Sequence, residues 1–237
     1  MGVGALNPVE IGGHRIDPHG FRSALITWGR RNQRYFPWRQ TRDPYRILVA
    51  EVMLHRTQAP QVVPVYERFV VRYPDVDSLA GATNEELQDV LASLGLRWRI
   101  DLMHEMAVQM VDQYGGRVPR SRSHLLSLAG VSQYIAGAVR CFAWGMPEPL
   151  LDTNTVRVMG RLFGLAVKDS SRRSRTFGQL AEALVDPRRP RLYNYALLDL
   201  AGGPCSAKPK PGCGHCPVRG YCRQQATDGP DQRQRIV

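Results

Sequence analysis

The sequence LAGVSQYIA, residues 128–136, joins two predicted helices near the middle of the chain. The periodicity of the apolar residues predicts these helices over Leu125–Leu128 and Gln133–Trp144, on either side of a tight turn that contains a glycine. The backbone N–H groups of such a turn, with the N-terminus of the second helix, form a site suited to a DNA phosphate. A helical hairpin that binds nothing can show the same pattern. The candidate contacts to DNA in this hairpin are Gly130, Ser132 and Gln133.

The other periodic segments of the chain also indicate helices. Asp43-Pro44 predicts the N-cap and first residue of one helix, and Thr83 with Glu86 predicts the capping box of another. No convincing run of alternating strand residues occurs, so the predicted class is all-α. No apolar run is long enough to span a bilayer, and the N-terminus shows no secretory signal. We therefore expect a cytoplasmic, nucleoid-associated protein with no membrane partner.

The chain carries a strong positive charge. Its 32 lysines and arginines exceed its 21 aspartates and glutamates, which gives a formal net charge of +11. Such an excess favours a polyanionic partner, because phosphate contacts supply most of the non-specific affinity for nucleic acid. An arginine-rich coding bias would produce the same excess. The 32 cations include only three lysines, at positions 168, 208 and 210.

Four of the five cysteines stand close together in the C-terminal part of the chain. Their spacing is Cys205-x7-Cys213-x2-Cys216-x5-Cys222, with prolines and glycines between them. Proline and glycine allow a short loop to wrap one centre, and ligation by thiolates alone suits zinc or an iron–sulfur cluster. Zinc modules usually contribute two C-x2-C pairs, whereas this loop has one. The spacing therefore favours a [4Fe-4S] cluster, whose loop would present basic residues to a phosphate backbone.

A carboxylate follows the hairpin by about twenty residues. Asp152 comes directly after the apolar pair Leu150-Leu151 and just before a predicted helix over Thr153–Phe163. An aspartate in this place is commonly a helix N-cap. A catalytic carboxylate is the alternative interpretation.

The hairpin, Asp152 and the cysteine loop together resemble the helix-hairpin-helix DNA glycosylase superfamily, which includes endonuclease III, the MutY adenine glycosylases and the thymine–DNA mismatch glycosylases. The resemblance runs from about Phe36 to Cys222. The segments that add to it are FPWRQTRDPY (residues 36–45), EVMLHRTQ (residues 51–58) and GGRVPR (residues 115–120).

The likeness is closest to the thymine mismatch glycosylases. Tyr134 occupies the position where that group carries a tyrosine, endonuclease III its Schiff-base lysine and the adenine glycosylases a serine. Two features depart from the usual pattern. Ala129 and Ser132 replace the proline and second glycine of the family's Leu-Pro-Gly-Val-Gly hairpin. The first cysteine gap is also one residue longer than usual.

The resemblance implies an architecture of two helical domains on either side of a DNA-binding cleft. One domain would be a helical barrel over residues 36–145, with the helix-hairpin-helix motif at 125–144. The other would combine residues 1–35 with 146–237 and carry the iron–sulfur loop at 205–222. The implied partner is double-stranded DNA with a mismatched or damaged base, bound by a monomer.

The resemblance also implies roles for individual residues. Asp152 would stabilise the positive charge that develops on the sugar and place or deprotonate the attacking water. Glu51 would hold or protonate the departing base, although it could instead be the partner in a structural ion pair. Tyr134 would line the base pocket or, alternatively, pack in the hairpin core. The candidates for filling the vacated stack or gripping the opposite strand are His55, Arg56 and Trp98, each of which could equally be a surface residue.

The lysine count bears on the type of chemistry. A glycosylase with lyase activity uses an amine to form a Schiff base, and no lysine precedes Lys168. We therefore predict a monofunctional DNA glycosylase of base excision repair, which removes thymine or uracil opposite guanine without strong lyase activity. The alternatives are a MutY-like adenine glycosylase acting on A:G or A:8-oxoguanine, an endonuclease III-like lyase, and a non-catalytic or redox-sensing iron–sulfur protein that binds DNA.

Overall fold

The computed structural model describes residues 9–11, 14–95 and 97–224, and about two thirds of these are helical. The described residues form eleven α-helices joined by turns and short 3-10 segments. Their bounds are α1 Pro18–Asn32, α2 Pro44–Leu54, α3 Ala59–Arg72, α4 Val76–Ala80, α5 Asn84–Leu91, α6 Arg97–Tyr114, α7 Arg122–Ser127, α8 Gln133–Trp144, α9 Thr153–Phe163, α10 Arg175–Leu184 and α11 Pro190–Gly202. The predicted all-α class is confirmed.

A small β-ribbon before α1 was not predicted. Strands β1 (Val9–Ile11) and β2 (His14–Ile16) pair antiparallel, with Val9 opposite Ile16. Each strand has three residues. A strand this short contains too few positions for a two-residue periodicity to be recognised in the sequence.

The predicted helix starts are confirmed at the level of individual hydrogen bonds. The Asp43 carboxylate accepts from Tyr45 N at 2.8 Å and from Arg46 N at 3.2 Å, which caps α2. Thr83 and Glu86 form the expected reciprocal capping box of α5. Such bonds satisfy backbone donors that a helix leaves unpaired in its first turn.

By its contacts the chain divides into two compact units. The first consists of the described residues up to Arg34 and those from Pro147 onward. In it α1 packs along α11, and α11 also packs against α9. The approach of α1 to α11 is close at Gly29, where an added Cβ would lie 2.4 Å from the Cβ of Ala196.

The second unit is Tyr35–Met146. In it α2 packs against α8, and α4 packs against α6. The helix α2 is buried over most of its length, from Tyr45 to Met53 apart from Arg46. Among the described residues, no helix combines the length and the apolar character that crossing a membrane requires.

Candidate functional site

Asp152 is the N-cap of α9 and is half-buried. One carboxylate oxygen, Oδ1, accepts from Thr155 N at 2.7 Å, and Asp152 N donates to Thr155 Oγ1 at 2.9 Å. The other oxygen, Oδ2, accepts from Asn154 Nδ2 at 2.9 Å. A carboxylate has about four lone-pair sites, so these two bonds orient the group and leave it capacity to bind a further donor. The N-cap interpretation is therefore correct, and it does not exclude a chemical role.

The side chain of Asn154 is itself held in place by an arginine. Arg157 Nη1 donates to Asn154 Oδ1 at 2.9 Å, which fixes the amide with its nitrogen toward Asp152. Arg157 Nη2 also donates to Ala201 O at 2.8 Å and to Cys205 O at 3.3 Å. The orientation of the Asp152 carboxylate thus depends on a chain of hydrogen bonds along one side of α9.

The four clustered cysteines line one cavity of about 260 Å³, together with Arg161, Lys210 and Arg219 among others. Burial, and the neighbouring Cys205, Cys222 and Cys213, raise the pKa of the Cys216 thiol to about 11, although a hydrogen bond from Val218 N lowers it. Thiols crowded in this way resist ionisation unless a positive centre stabilises them.

The helix α9 contacts the cysteine loop through Arg161. The Arg161 Nη1 group donates to Ser206 O at 2.7 Å, and lies 3.3 Å from Cys205 O and 3.4 Å from Cys205 Sγ. The Cys222 thiol donates in turn to Arg161 O at 3.4 Å. In the part of the chain that the structure describes, no three His, Cys, Asp or Glu side chains are close enough to hold a single metal ion.

The turn between α7 and α8 differs in detail from the expected phosphate site. Ala129 N donates to Gln109 Oε1 at 2.8 Å, so this N–H group is already used within the protein. Within the described residues, the N–H groups of Gly130, Ser132 and Gln133 have no protein acceptor, and all three residues are exposed. These three groups, and not the whole turn, are available to an anion.

Gly130 and Ser132 both fit the backbone of this turn. Gly130 has φ +74°, and an added Cβ would lie 3.2 Å from the Cβ of Leu102, so glycine is required there. Ser132 has φ −83°, which any residue can adopt, and its Oγ accepts from Ile135 N to cap α8. A serine in place of glycine therefore does not distort the turn. Arg122 Nη2 donates to Gln133 Oε1 at 2.9 Å and adds a guanidinium beside the start of α8.

Glu51 and Tyr134 lie on two helices that pack together, α2 and α8. Glu51 is 6% exposed on an otherwise apolar stretch, while Tyr134 is half-buried one residue after the start of α8. A buried carboxylate is unusual in a protein unless it is paired or functional. The structure thus places both residues in the second unit, whereas Asp152 lies in the first.

The structure brings together the three residues predicted to contact the base stack. The His55 and Trp98 rings are 5.8 Å apart in an edge-to-face arrangement, and Trp98 is 45% exposed. Arg56 is exposed and has φ +62°, the only positive φ of a non-glycine residue in the described ranges. Such strained positions occur often at functional sites.

Several residues that support these groups were not predicted from the sequence. They are Gln109 and Arg122 beside the hairpin, Asn154, Arg157 and Arg161 on α9, and Arg99 behind the turn of Arg56. Asn154 and Arg157 are three residues apart in α9, a spacing that places two side chains on one face of a helix, and this was a local signal of their hydrogen bond. The bond between Ala129 and Gln109 joins residues 20 positions apart and left no such local signal.

Comparison with known proteins gives a consistent result. The HhH-GPD superfamily of base excision DNA repair proteins matches residues 49–183. A thymine-DNA glycosylase of Aeropyrum pernix is 41% identical over 208 residues, which cover 85% of this chain and 92% of that protein. A thymine/uracil-DNA glycosylase of Pyrobaculum aerophilum is 39% identical over 210 residues, 86% of this chain and 90% of its own. The solved structure of a thermostable thymine-DNA glycosylase has a TM-score of 0.83 at 34% identity, covering 89% of this chain and 97% of that one. Adenine DNA glycosylases are also similar, at lower identity.

Proposed function

Because the chain belongs to the HhH-GPD superfamily of base excision DNA repair proteins, we propose that it is a monofunctional DNA glycosylase that removes thymine or uracil opposite guanine. The observation that carries this proposal is the Asp152 carboxylate, which is oriented by Thr155 N and Asn154 Nδ2 and keeps acceptor capacity for a further group. The high identity to thymine and thymine/uracil glycosylases over most of their length supports the choice of base.

The proposed reaction is hydrolysis of the N-glycosidic bond of a flipped nucleotide. Water adds to C1′ of the sugar, the bond from C1′ to the base breaks, and the base leaves with that electron pair and takes up a proton. The products are the free base and an abasic site, and the DNA strand stays intact. A mismatched base is the easiest to extrude, because it is the least well paired in the duplex.

Asp152 acts on the sugar in this proposal. Positive charge develops on C1′ and the ring oxygen as the bond breaks, and an ionised carboxylate nearby stabilises it. The same carboxylate positions the attacking water and accepts one of its protons. Its two hydrogen bonds hold it in place before the substrate arrives, so little reorganisation is needed during the reaction.

Glu51 and Tyr134 act on the base. Glu51 is the proposed donor of the proton, because it is a buried acidic side chain on α2, the helix that packs against the helix of Tyr134. Tyr134, on the helix packed against α2, offers a ring and a hydroxyl to the same base.

DNA binding is assigned to the two exposed turns of the second unit. The N–H groups of Gly130, Ser132 and Gln133, with Arg122 beside them, would bind a backbone phosphate. The turn that carries His55 and Arg56, together with Trp98, would contact the stack around the extruded base.

We also propose that the cysteine loop holds a [4Fe-4S] cluster. Four thiols and three cations line its cavity, and the cations offset the negative charge of thiolate ligands. Cysteine thiolates in this number are the usual ligands of such a cluster. When bound, the cluster would keep the loop folded and its basic residues directed to the DNA.

The test is a comparison of substrates. Purified protein is incubated with duplexes that contain T:G, U:G or A:8-oxoguanine, and abasic sites are revealed with alkali. The proposal expects product from T:G and U:G and much less from A:8-oxoguanine. Product mainly from the adenine duplex would favour the adenine glycosylase alternative, and no product from any duplex would favour a DNA-binding protein without this activity.

A further inference from the structure

Arg99, in the first turn of α6, is a buried cation without an acidic partner. It is 4% exposed, and no carboxylate among the described residues pairs with it. Burial lowers the pKa of its guanidinium. Burying an unpaired charge is costly, so a protein that buries one needs strong hydrogen bonds to compensate it.

The guanidinium of Arg99 donates to four acceptors from two separate turns. Nη1 lies 2.6 Å from Met53 O and 3.4 Å from Val52 O, both at the C-terminal end of α2. Nη2 donates to Thr57 Oγ1 at 2.9 Å and to Leu94 O at 3.1 Å. The first three acceptors flank the turn of His55 and Arg56, and the fourth belongs to the segment that leads into α6.

These bonds hold a turn in a conformation that it would not otherwise prefer. Arg56 has φ +62°, a conformation that is strained for a residue with a Cβ. Carbonyl groups at the end of a helix lack partners within the helix, and Arg99 supplies a donor for Met53 O. It adds a second, longer contact to Val52 O, which also accepts from His55 N. The planar, forked guanidinium suits this role, because it presents several N–H groups in fixed directions.

The same bonds join the turn to the exposed aromatic ring next to it. Trp98 directly precedes Arg99 in α6, and its ring contacts that of His55 on the turn. Of the two partners of Nη2, Thr57 belongs to the turn that carries His55, and Leu94 belongs to the segment that leads into α6 and Trp98. Arg99 therefore fixes Arg56 and Trp98 relative to each other from beneath the surface.

We infer that Arg99 is a positioning residue for base extrusion: it holds the strained turn so that Arg56 enters the duplex at the mismatched pair. This inference rests on the proposed glycosylase function and adds a residue that would not itself touch DNA. Arg99 then affects excision through the position of Arg56, and this dependence on Arg56 distinguishes it from a purely structural arginine.

The test is a double-mutant cycle measured as single-turnover excision from a T:G duplex. Arg99→Gln should reduce the rate by about tenfold to a hundredfold, as expected when a group that orients substrate is misplaced. Arg56→Gly removes the inserting side chain and relieves the strain of the turn. In the Arg56→Gly background, Arg99→Gln should change the excision rate by no more than about twofold. The side chain that Arg99 positions is then already absent, so both substitutions affect the same step, entry of Arg56 into the duplex. Arg99→Lys, which keeps the charge but loses the forked guanidinium, should give an excision rate between those of wild type and Arg99→Gln.

The chain offers a matched control in Arg22. It is also a buried arginine, 8% exposed, and it donates to the carbonyls of Leu184 and Ala183 at the end of α10 in the other unit. Arg22→Gln should lower the melting temperature much as Arg99→Gln does and leave the excision rate of folded protein unchanged. Thr57→Val, which removes one bond to Arg99, serves if Arg99→Gln does not fold, and should cause a smaller loss that also vanishes in the Arg56→Gly background.

A direct signal of base unstacking completes the design. With 2-aminopurine next to the mismatched thymine, wild-type protein should raise the fluorescence, and Arg99→Gln should lower that rise while Arg22→Gln should not. The inference would be overturned if Arg99→Gln reduced the excision rate equally with and without Arg56, or if Arg22→Gln reduced that rate as much as Arg99→Gln does. Neither result would contradict the glycosylase function. A wild-type protein that removes neither thymine nor uracil would instead overturn the proposed function.

Discussion

Asp152→Asn is the substitution that tests the proposed chemistry most directly. A carboxylate about 4 Å from a developing positive charge contributes about 4 kcal/mol at an effective dielectric constant of about 20. Loss of that charge should therefore slow single-turnover excision about a thousandfold, since each ~1.4 kcal/mol corresponds to a factor of ten. Asparagine keeps an oxygen that can accept from Thr155 N, and the two residues cap helices about equally well. The free energy of unfolding should change by less than about 1 kcal/mol, the size of the lost interaction with the helix dipole.

Asp75 provides the control for this substitution. It caps α4 through a similar box, in which Oδ1 accepts from Ser78 N at 2.8 Å and Asp75 N donates to Ser78 Oγ at 3.3 Å. Asp75→Asn should match Asp152→Asn in stability and keep the wild-type excision rate. Duplex affinity, measured by fluorescence anisotropy, should be similar for all three proteins. If Asp152→Asn retains more than about a tenth of the wild-type rate, Asp152 is a helix cap and the proposed chemistry is wrong.

Three further outcomes are expected. Borohydride added during turnover should trap no strong protein–DNA adduct, because no lysine precedes Lys168; an abundant adduct would indicate a lyase. Glu51→Gln should slow excision of thymine by about a hundredfold to ten-thousandfold, the usual contribution of a general acid, and an unchanged rate would leave Glu51 a structural residue. Cys213→Ser should lower the iron content and visible absorbance of protein purified without air. Cys141→Ala, in the core, should lower only the free energy of unfolding, by about 1 kcal/mol. Equal iron content in the two variants would argue against the cluster.

Local signals in the sequence were sufficient to predict the helices that frame the site. Thr83 and Glu86 marked the start of α5, and the predicted bounds of α8 and α9 are those of the structure. These predictions succeed because a helix start is decided by residues within one turn of each other. The Asp17-Pro18 pair before α1 carries the same signal as Asp43-Pro44, so α1 could have been predicted in the same way.

The contacts that shape the functional groups could not be read from the sequence. The hairpin pattern predicted Gly130, Ser132 and Gln133 as contacts to phosphate, but it gave no sign that Gln109, from α6, accepts the N–H group of Ala129. Arg99 is indistinguishable in the sequence from the many surface arginines of this basic chain. Its bonds to Met53 and Thr57 depend on how α6 packs beside α2. Long-range packing decides such contacts, and one sequence contains no local record of it.

The candidate groups lie at the ends of helices, and this placement has a physical reason. A helix interior satisfies its own backbone and packs its side chains, whereas its ends leave N–H and carbonyl groups that need partners. Asp152 and Ser132 each cap a helix start, and Arg56 follows the end of α2. At such a place one side chain can complete the helix and still have acceptor capacity for a ligand, as the Asp152 carboxylate does after its bonds to Thr155 N and Asn154 Nδ2. The proposed chemical role of Asp152 therefore costs little stability, because α9 needs a cap at this position anyway. The role proposed for Arg56 costs more stability, because it needs both a strained φ and the buried cation of Arg99 to hold one exposed side chain.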